Sequence, residues 1–141
     1  MITIKSSNPK YTEEQEHHYV CNYISLYYPD VIYFTDGSGL KLTRNLAIRF
    51  SKLKSSRGIP DIIIPEPKGK YHGLFIELKR TGSIAYKKDG SIKQDVHLEE
   101  QNEVLEKLKK KGYFACFCMG RQESIDIINW YMGLDKDAKQ V

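Results

Sequence analysis

Residues 58–79 decide the fold of this chain, and they read GIPDIIIPEPKGKYHGLFIELK. The isoleucine run at 62–64 and the alternating run at 73–79 are each typical of a short β-strand, because proline and glycine bound them. The residues between the two runs, at 68–72, suit a hairpin turn. The strands are therefore predicted to pair antiparallel, with the start of the first beside the end of the second.

The end of the second strand carries an acid and a base on one face. Side chains alternate between the two faces of a strand, so Glu77 and Lys79 share a face and the opposite face is wholly apolar. The predicted hairpin brings Asp61 close to both. Two carboxylates suit a hard divalent cation, and an ammonium group can offset charge that develops on a phosphate. The alternative interpretation is a weak surface salt bridge between Glu77 and Lys79.

This set of residues resembles a known nuclease signature. The segments GIPD at 58–61 and IELK at 76–79 are similar to the motifs of the PD-(D/E)XK nuclease superfamily, and in their details to those of its VRR-NUC branch. That branch also has a glutamate at the start of its first helix and a glutamine that opens the helix after Glu-x-Lys. This chain offers TEEQ at 12–15 and Gln101 in those places. The resemblance covers about residues 11–132 and is specific as a set.

The resemblance implies a metal-dependent nuclease. The implied fold is α/β, with a restriction-endonuclease-like core in which helices flank a central mixed β-sheet, in one domain that spans residues 1–141. Mg²⁺ is the implied cofactor, and Mn²⁺ is an alternative ion. The implied metal ligands are Asp61, Glu77, the backbone carbonyl of Leu78 and, directly or through water, Glu13. The implied catalytic residues are Asp61, Glu77, Lys79, Gln101 and Glu13, with Lys79 orienting or activating the nucleophile.

The first helix raises the question of which glutamate belongs to the site. The helix is predicted to begin after Thr12, a good N-cap, and to end before Pro29. Its apolar stripe comprises Val20, Ile24 and Tyr27. Extending the stripe backward reaches Glu13, although an acid in a first turn is also explained by the helix dipole. The resemblance favours Glu13, and Glu14 and Glu16 remain alternatives.

A later helix carries a polar residue on its apolar side. Gln101 falls on the stripe formed by Leu98, Leu105 and Leu108. A buried glutamine must find hydrogen-bond partners. One interpretation is a core amide bonded to the backbone. The other is a contact to Lys79 or to a water at the metal, and the complete set of motif residues favours it.

Residues 41–57, the basic segment, contain six basic residues and no acid. They are Lys41, Arg44, Arg49, Lys52, Lys54 and Arg57. The whole chain has a net charge of +4 and a pI near 8.8, which is compatible with a polyanionic partner. We predict that the segment contacts DNA phosphates through Lys41, Arg44, Arg49, Lys52 and Arg57. The alternative is the solvated face of an ordinary helix.

The remaining pattern completes an alternation of helices and strands. It predicts a strand at 31–35, a helix at 42–55, a projecting mobile flap at 81–96, a strand at 114–119 and a last helix at 123–132. The helix at 42–55 has an apolar stripe of Leu42, Leu46, Phe50 and Leu53. The strand at 114–119 is apolar on both faces and is therefore predicted to be central. The order of helix, strand, helix, hairpin, helix, strand and helix predicts an α/β domain.

Composition excludes several classes of protein. A chain of 141 residues, 40% of them hydrophobic, suits one folded domain and excludes a disordered chain. Three cysteines argue against a disulfide framework, and no pair of the four histidines has a convincing metal-ligand spacing. No signal peptide and no apolar run of membrane-spanning length occur. We therefore expect a cytoplasmic protein without a membrane partner, in a bacterium or a phage-infected cell.

The expected activity is endonucleolytic hydrolysis of DNA phosphodiester bonds. Standalone VRR-NUC proteins resemble phage-associated, dimeric enzymes that act on branched DNA, so the resemblance implies a homodimer and a branched or duplex substrate such as a Holliday junction. Candidate residues for the dimer interface are Tyr19, Tyr23, Tyr27 and Tyr28. Two other functions stay open. They are a non-catalytic nucleic-acid-binding module on the same fold, and a protein-interaction domain with a structural charged cluster.

Overall fold

The computed structural model describes residues 11–37 and 42–135. Its helices and strands follow the predicted order: α1 (Glu13–Tyr27), β1 (Phe34–Thr35), α2 (Arg44–Lys52), β2 (Ile62–Ile64), β3 (Leu74–Lys79), α3 (Val96–Lys110), β4 (Phe114–Met119) and α4 (Arg121–Met132). Four strands form a mixed sheet, and helices pack on both of its faces. The predicted α/β fold class is confirmed.

The sheet has the strand order β1-β2-β3-β4, and the predicted hairpin forms its centre. β2 pairs antiparallel with β3, and Ile62 lies opposite Ile76. One residue further along, this register sets Asp61 opposite Glu77. At the other end of the hairpin the backbones of Lys68 and Tyr71 bond to each other and close the turn.

Each face of the sheet carries its own hydrophobic cluster. On one face α1 and α4 pack on the hairpin and bury Val20, Ile24, Ile76, Ile128 and Tyr131 among others. On the other face α3 packs through Leu105 against Ala115 and Phe117 of β4. The alternation of β3 follows from this arrangement, because one row of its side chains meets α1 and α4 and the other row meets α3 or the site.

The position of β4 corrects one prediction. β4 pairs parallel with β3 and is the last strand in the described sheet, so its predicted central position is wrong. Helices cover both faces of β4, which explains why its sequence is apolar on both sides. An apolar pattern reports what lies above and below a strand, and it carries no information about strands beside it.

Helix α1 follows the predicted bounds, but its buried stripe is shifted. Glu16, Val20 and Ile24 are buried, whereas Tyr27 is 61% exposed. Steps of four residues continue to Tyr28, and that residue packs against the core. The prediction that Tyr27 belongs to the inward stripe is therefore wrong.

Helix α2 is shorter than predicted and buries none of its residues. The predicted stripe does not pack on the sheet, and its last member, Leu53, is 82% exposed. Leu42 and Phe50 line a cavity instead of joining a core cluster. β1 is likewise shorter than the strand predicted at 31–35.

The segment at 81–96 forms the predicted tight turn. Tyr86 pairs with Ile92, and Asp89 accepts hydrogen bonds from the backbone and hydroxyl of Ser91. Ala85 is buried in the cluster under α3, so the segment is docked there and does not project as a whole. Its mobility stays a prediction.

The last features of the fold are the state of the cysteines and the lengths of the helices. All three cysteines are free, and the Sγ atoms of Cys116 and Cys118 lie 3.7 Å apart on one face of β4. Across the described ranges, each helix is too short or too polar to cross a membrane.

Candidate functional site

Asp61 is fixed at the edge of the sheet by its partner strand. Only 6% of the residue is exposed, and its Oδ2 accepts a hydrogen bond of 2.8 Å from the backbone N–H of Leu78. This contact joins the start of β2 to the end of β3, as the hairpin predicted. The N–H of Leu78 is therefore committed to Asp61, and the predicted ligand role of its carbonyl stays a prediction.

The glycine that opens the GIPD motif has a clear structural reason. Gly58 has a φ of +77°, which favours glycine, and a Cβ on it would lie 3.1 Å from the backbone of Gln101. The loop before Asp61 therefore runs directly against α3. This close approach brings Gln101 to the site across a long stretch of sequence.

Glu77 is the centre of the cluster. Gln101 donates from Nε2 to Glu77 Oε1 at 2.7 Å, and Lys79 Nζ lies 3.8 Å from the same oxygen. The other oxygen, Oε2, is buried without a hydrogen-bond partner, as is Oε1 of Gln101. The contact of Gln101 is thus with the carboxylate, which neither of its two sequence interpretations named.

Burial makes the site electrostatically costly when no cation is bound. Desolvation raises the pKa of Glu77, and the charge of Asp61 raises it further while Lys79 opposes the rise. Desolvation also raises the pKa of Asp61, against the hydrogen bond from Leu78. Buried carboxylates that repel each other favour protonation or a bound cation.

Among the glutamates of α1, Glu13 lies beside the cluster. Burial and the charge of Asp61 raise the pKa of Glu13, while Lys79 lowers it. Glu14 lines a separate cavity of about 270 Å³ with His17 and His18. Glu16 is fully buried and bonded to Thr81, so its carboxylate is engaged away from Asp61.

The donor set fits a hard cation. Within the described part of the chain, no group of three or more His, Cys, Asp or Glu side chains has the arrangement of a metal site. Mg²⁺ retains several waters and needs only one or two protein carboxylates, which Asp61 and Glu77 can supply. Oxygen ligands without thiolate or imidazole disfavour zinc. The unpartnered Oε2 of Glu77 is the atom that most needs such a partner.

The basic segment borders the same cavity as Glu77 and Gln101. A cavity of about 660 Å³ is lined by Phe50 and Arg57 on one side and by Glu77 and Gln101 on the other. Arg44, Arg49, Lys52 and Arg57 are exposed, as phosphate contacts require. Lys41 lies outside the described residues.

An ion pair that the sequence did not reveal ties the basic segment to the site. Lys54 Nζ lies 2.7 Å from Asp36 Oδ2, and the side chain of Asp36 is 7% exposed. The backbone N–H of Asp36 donates to the carbonyl of Asp61 at 3.3 Å. The only signal for Asp36 in the sequence is its place directly after the strand predicted at 31–35.

The four tyrosines proposed for a dimer interface are mostly engaged within the chain. The hydroxyls of Tyr23 and Tyr28 both donate to Asn129 of α4, at 3.1 and 2.7 Å. The ring of Tyr19 lies 4.1 Å from the guanidinium carbon of Arg121. Tyr27 is left as the most exposed of the set.

Comparison with known proteins agrees with this geometry. The family model described as the VRR-NUC domain matches residues 11–122, a range that contains every residue of the cluster. A solved structure described as a VRR_NUC domain protein is 26% identical and superposes with a TM-score of 0.60. That match covers 89% of this chain and 91% of the other. None of the curated proteins compared with the chain matches it.

Proposed function

The chain belongs to the VRR-NUC domain family, and from this premise we propose that it is a divalent-metal-dependent endonuclease that hydrolyses DNA phosphodiester bonds. In this proposal residues 1–141 form one nuclease domain. The observation that carries the proposal is the buried pair of Asp61 and Glu77, with Lys79 and Gln101 beside it. Glu77 and Gln101 also line a cavity that the basic segment borders.

Each side chain of the cluster has a separate role in the proposed reaction. Mg²⁺, or Mn²⁺ in its place, would stabilise charge on the phosphate and lower the pKa of a bound water. Asp61, held by the N–H of Leu78, and Glu77, oriented by Gln101, would hold the ion, with the Leu78 carbonyl as a further ligand and Glu13 helping directly or through water. Lys79 would orient or activate the nucleophile, because its ammonium group lies next to the carboxylate pair.

The exposed cations supply the contact to the substrate. Arg44, Arg49, Lys52 and Arg57 would contact phosphates and guide the backbone of the DNA across the cavity toward Glu77. Lys41 would extend this contact. The cations make the contact independent of base sequence, which suits an enzyme that recognises the shape of DNA.

Branched DNA is the substrate that we propose, with a Holliday junction as its symmetric form. Each chain has one carboxylate pair, so paired incision requires two chains, and a two-fold homodimer would present two sites to a two-fold substrate. Tyr27, together with the exposed Leu26 and Ile32, supports an interface near the end of α1. We place the enzyme in the cytoplasm of a bacterium or phage-infected cell.

A substrate panel tests the proposal. The protein is incubated with Mg²⁺, Mn²⁺ or EDTA and with linear, flapped and four-way DNA of matched sequence. We expect cleavage with either ion, no cleavage in EDTA, and faster cleavage of the branched forms. Isothermal titration with Mg²⁺ measures the site without activity, and Glu77→Gln should weaken that binding.

The panel also separates the proposal from its rival. A non-catalytic nucleic-acid-binding module would bind these DNAs with salt-dependent affinity and cleave none of them with any ion. Light scattering at micromolar concentration decides the oligomeric state. A monomer of 16.4 kDa that makes paired incisions would remove the dimer from the proposal.

A further inference from the structure

Glu16 is a fully buried carboxylate to which the proposed chemistry gives no role. It lies in α1, one turn after Glu13, and none of its surface is exposed. One of its oxygens accepts a hydrogen bond of 3.0 Å from the backbone N–H of Thr81, and the other accepts from the Thr81 hydroxyl. Both bonds thus come from a single residue in another part of the fold.

Thr81 lies two residues after Lys79, just beyond the end of β3. The backbone here is fixed from the other side as well. The N–H of Gly120 donates to the carbonyl of Lys79 at 2.7 Å, and a Cβ on Gly120 would lie 3.1 Å from Thr81 Cα. The chain around Lys79 is therefore held between α1 and the end of β4.

We propose that the bonds between Glu16 and Thr81 position Lys79, and that Glu16 is a positioning residue and no ligand of the metal. The inference rests on the proposed function, because it assigns a purpose to the position of Lys79 in that reaction. The same bonds join α1, whose first turn also carries Glu13, to the residue two positions after Lys79.

The physical reason lies in the cost of burying a carboxylate. A charged group without water needs hydrogen bonds, and an unsatisfied buried oxygen is strongly unfavourable. The carboxylate of Glu16 therefore holds Thr81 in one place, and a displacement of Thr81 would leave it unpaired. Because Lys79 Nζ already lies 3.8 Å from Glu77, a small shift of the backbone removes it from reach.

Two conservative variants separate positioning from ligation. The hydroxyl of Thr81 can donate or accept, so Glu16→Gln keeps both hydrogen bonds with its amide oxygen and nitrogen. Thr81→Ser also keeps them. Thr81→Val removes the hydroxyl bond and keeps the backbone N–H bond to Glu16, so it should lower the free energy of unfolding without preventing folding.

The decisive measurement is the separation of kcat from KM for DNA cleavage. Thr81→Val should lower kcat by roughly tenfold to a hundredfold, because small misplacements of catalytic groups have effects of that order. KM should stay within about twofold, since the phosphate contacts lie on the basic segment. Thr81→Ser and Glu16→Gln should retain most of the wild-type kcat. Thr35→Val, a matched change at an exposed threonine of β1, is the control.

A second readout is independent of activity. The side-chain ¹H–¹³C resonance of the Lys79 ε-carbon, assigned with Lys79→Arg, should shift in Thr81→Val and stay in place in Thr81→Ser and Thr35→Val. Should the wild type cleave no DNA, the proposed function fails, and this resonance still decides whether the pair positions Lys79. An unmoved resonance in Thr81→Val overturns the inference.

Measurements of cleavage can also contradict the proposal that Glu16 and Thr81 position Lys79. Wild-type kcat in Thr81→Val would mean that the pair does not position Lys79. Loss of cleavage in Glu16→Gln, together with weaker Mg²⁺ binding in titration, would make Glu16 a metal ligand instead. Thermal unfolding of each variant shows that the fold is intact before either readout is interpreted.

Discussion

The basic segment lines a cavity together with Glu77 of the carboxylate pair, but the two regions are packed very differently. Asp61 and Glu77 are buried and are bonded to Leu78 and Gln101. Helix α2 buries no residue, and the Asp36–Lys54 ion pair ties the end of the segment beside Asp61. The proposed reacting groups are therefore packed and hydrogen-bonded, whereas the surface proposed to contact DNA is exposed.

The largest effect is expected for the buried carboxylate pair. Asp61→Ala or Glu77→Ala should lower cleavage by at least about a thousandfold, because each removes an oxygen ligand from the proposed ion. Thermal unfolding should show an intact fold, since these side chains serve the site. Single-turnover cleavage with Mg²⁺ measures the effect.

The matched control is Glu14→Ala, another glutamate of α1, which lines a separate cavity. It should cleave like the wild type. Residual activity in Glu77→Ala within tenfold of the wild type would remove the carboxylate pair from the mechanism.

A smaller effect is expected for the exposed basic segment. Replacing Arg44, Arg49 and Lys52 together by glutamine should weaken DNA binding and reduce the slope of log affinity against log salt by about 2 to 3, because fewer counterions are released. The free energy of unfolding should hardly change, since α2 buries nothing. Fluorescence anisotropy over a series of salt concentrations measures the slope.

The same charge can be removed elsewhere as a control. Lys107, Lys109 and Lys110 stand in the last turn of α3, and their triple glutamine variant should keep most of the wild-type slope. Equal slopes in the two triple variants would mean that the effect is one of net charge alone.

The Asp36–Lys54 ion pair, which links the basic segment to Asp61, should have a still smaller effect, on KM for DNA. Asp36→Asn or Lys54→Gln should raise KM for DNA by roughly threefold to tenfold, because either change releases the end of the basic segment from Asp61. The double variant should be no worse than the single ones, since both remove one interaction. Additive losses would show that the two residues act separately, and Lys68→Gln, which breaks a pair with Glu66 on the hairpin turn, controls for loss of charge.

The smallest effect concerns stability in the absence of metal. The pKa of Glu77 is raised in the folded state, so between its unfolded pKa, about 4, and the raised value the folded state binds more protons. The free energy of unfolding of the metal-free protein therefore falls as pH rises through that range. Glu77→Gln puts a group there that is neutral in both states, so no proton has to be taken up on folding, and the variant should be more stable by about 1–2 kcal/mol at about pH 8.

Urea denaturation in EDTA measures this at two pH values. The gain should vanish at about pH 3, below the pKa of Glu77 in both states, where the carboxyl is protonated whether the chain is folded or unfolded. A variant that is less stable than the wild type at about pH 8 would contradict the assigned cost of the buried carboxylate.

The sequence predicted best those features that depend on residues close together in the chain. The hairpin, its turn and the approach of Asp61 to Glu77 followed from alternation and from the prolines and glycines that bound the strands. The predicted bounds of helix α1 and strand β4 were close for the same reason. The approximate 3.6-residue period could not choose between Tyr27 and Tyr28, because both fit a helical stripe within one residue.

The rest depended on contacts between distant parts of the chain. Nothing near Asp36 in the sequence names Lys54 as its partner, and nothing near Glu16 names Thr81. The stripe of α2 looked like a core stripe because a pattern records amphipathicity without recording what lies opposite. In α2 the apolar side meets a cavity, and no sheet covers it.

The contact of Gly58 with the backbone of Gln101 has a consequence for the order in which the protein assembles. Asp61 and Glu77 can meet as soon as the hairpin closes, but Gln101 reaches Glu77 only after α3 has docked against the loop at Gly58. During synthesis the hairpin leaves the ribosome well before α3 does. A nascent chain would therefore hold its two acids without the amide that donates to one of them, so the arrangement that we propose for metal binding would be complete only after α3 has docked.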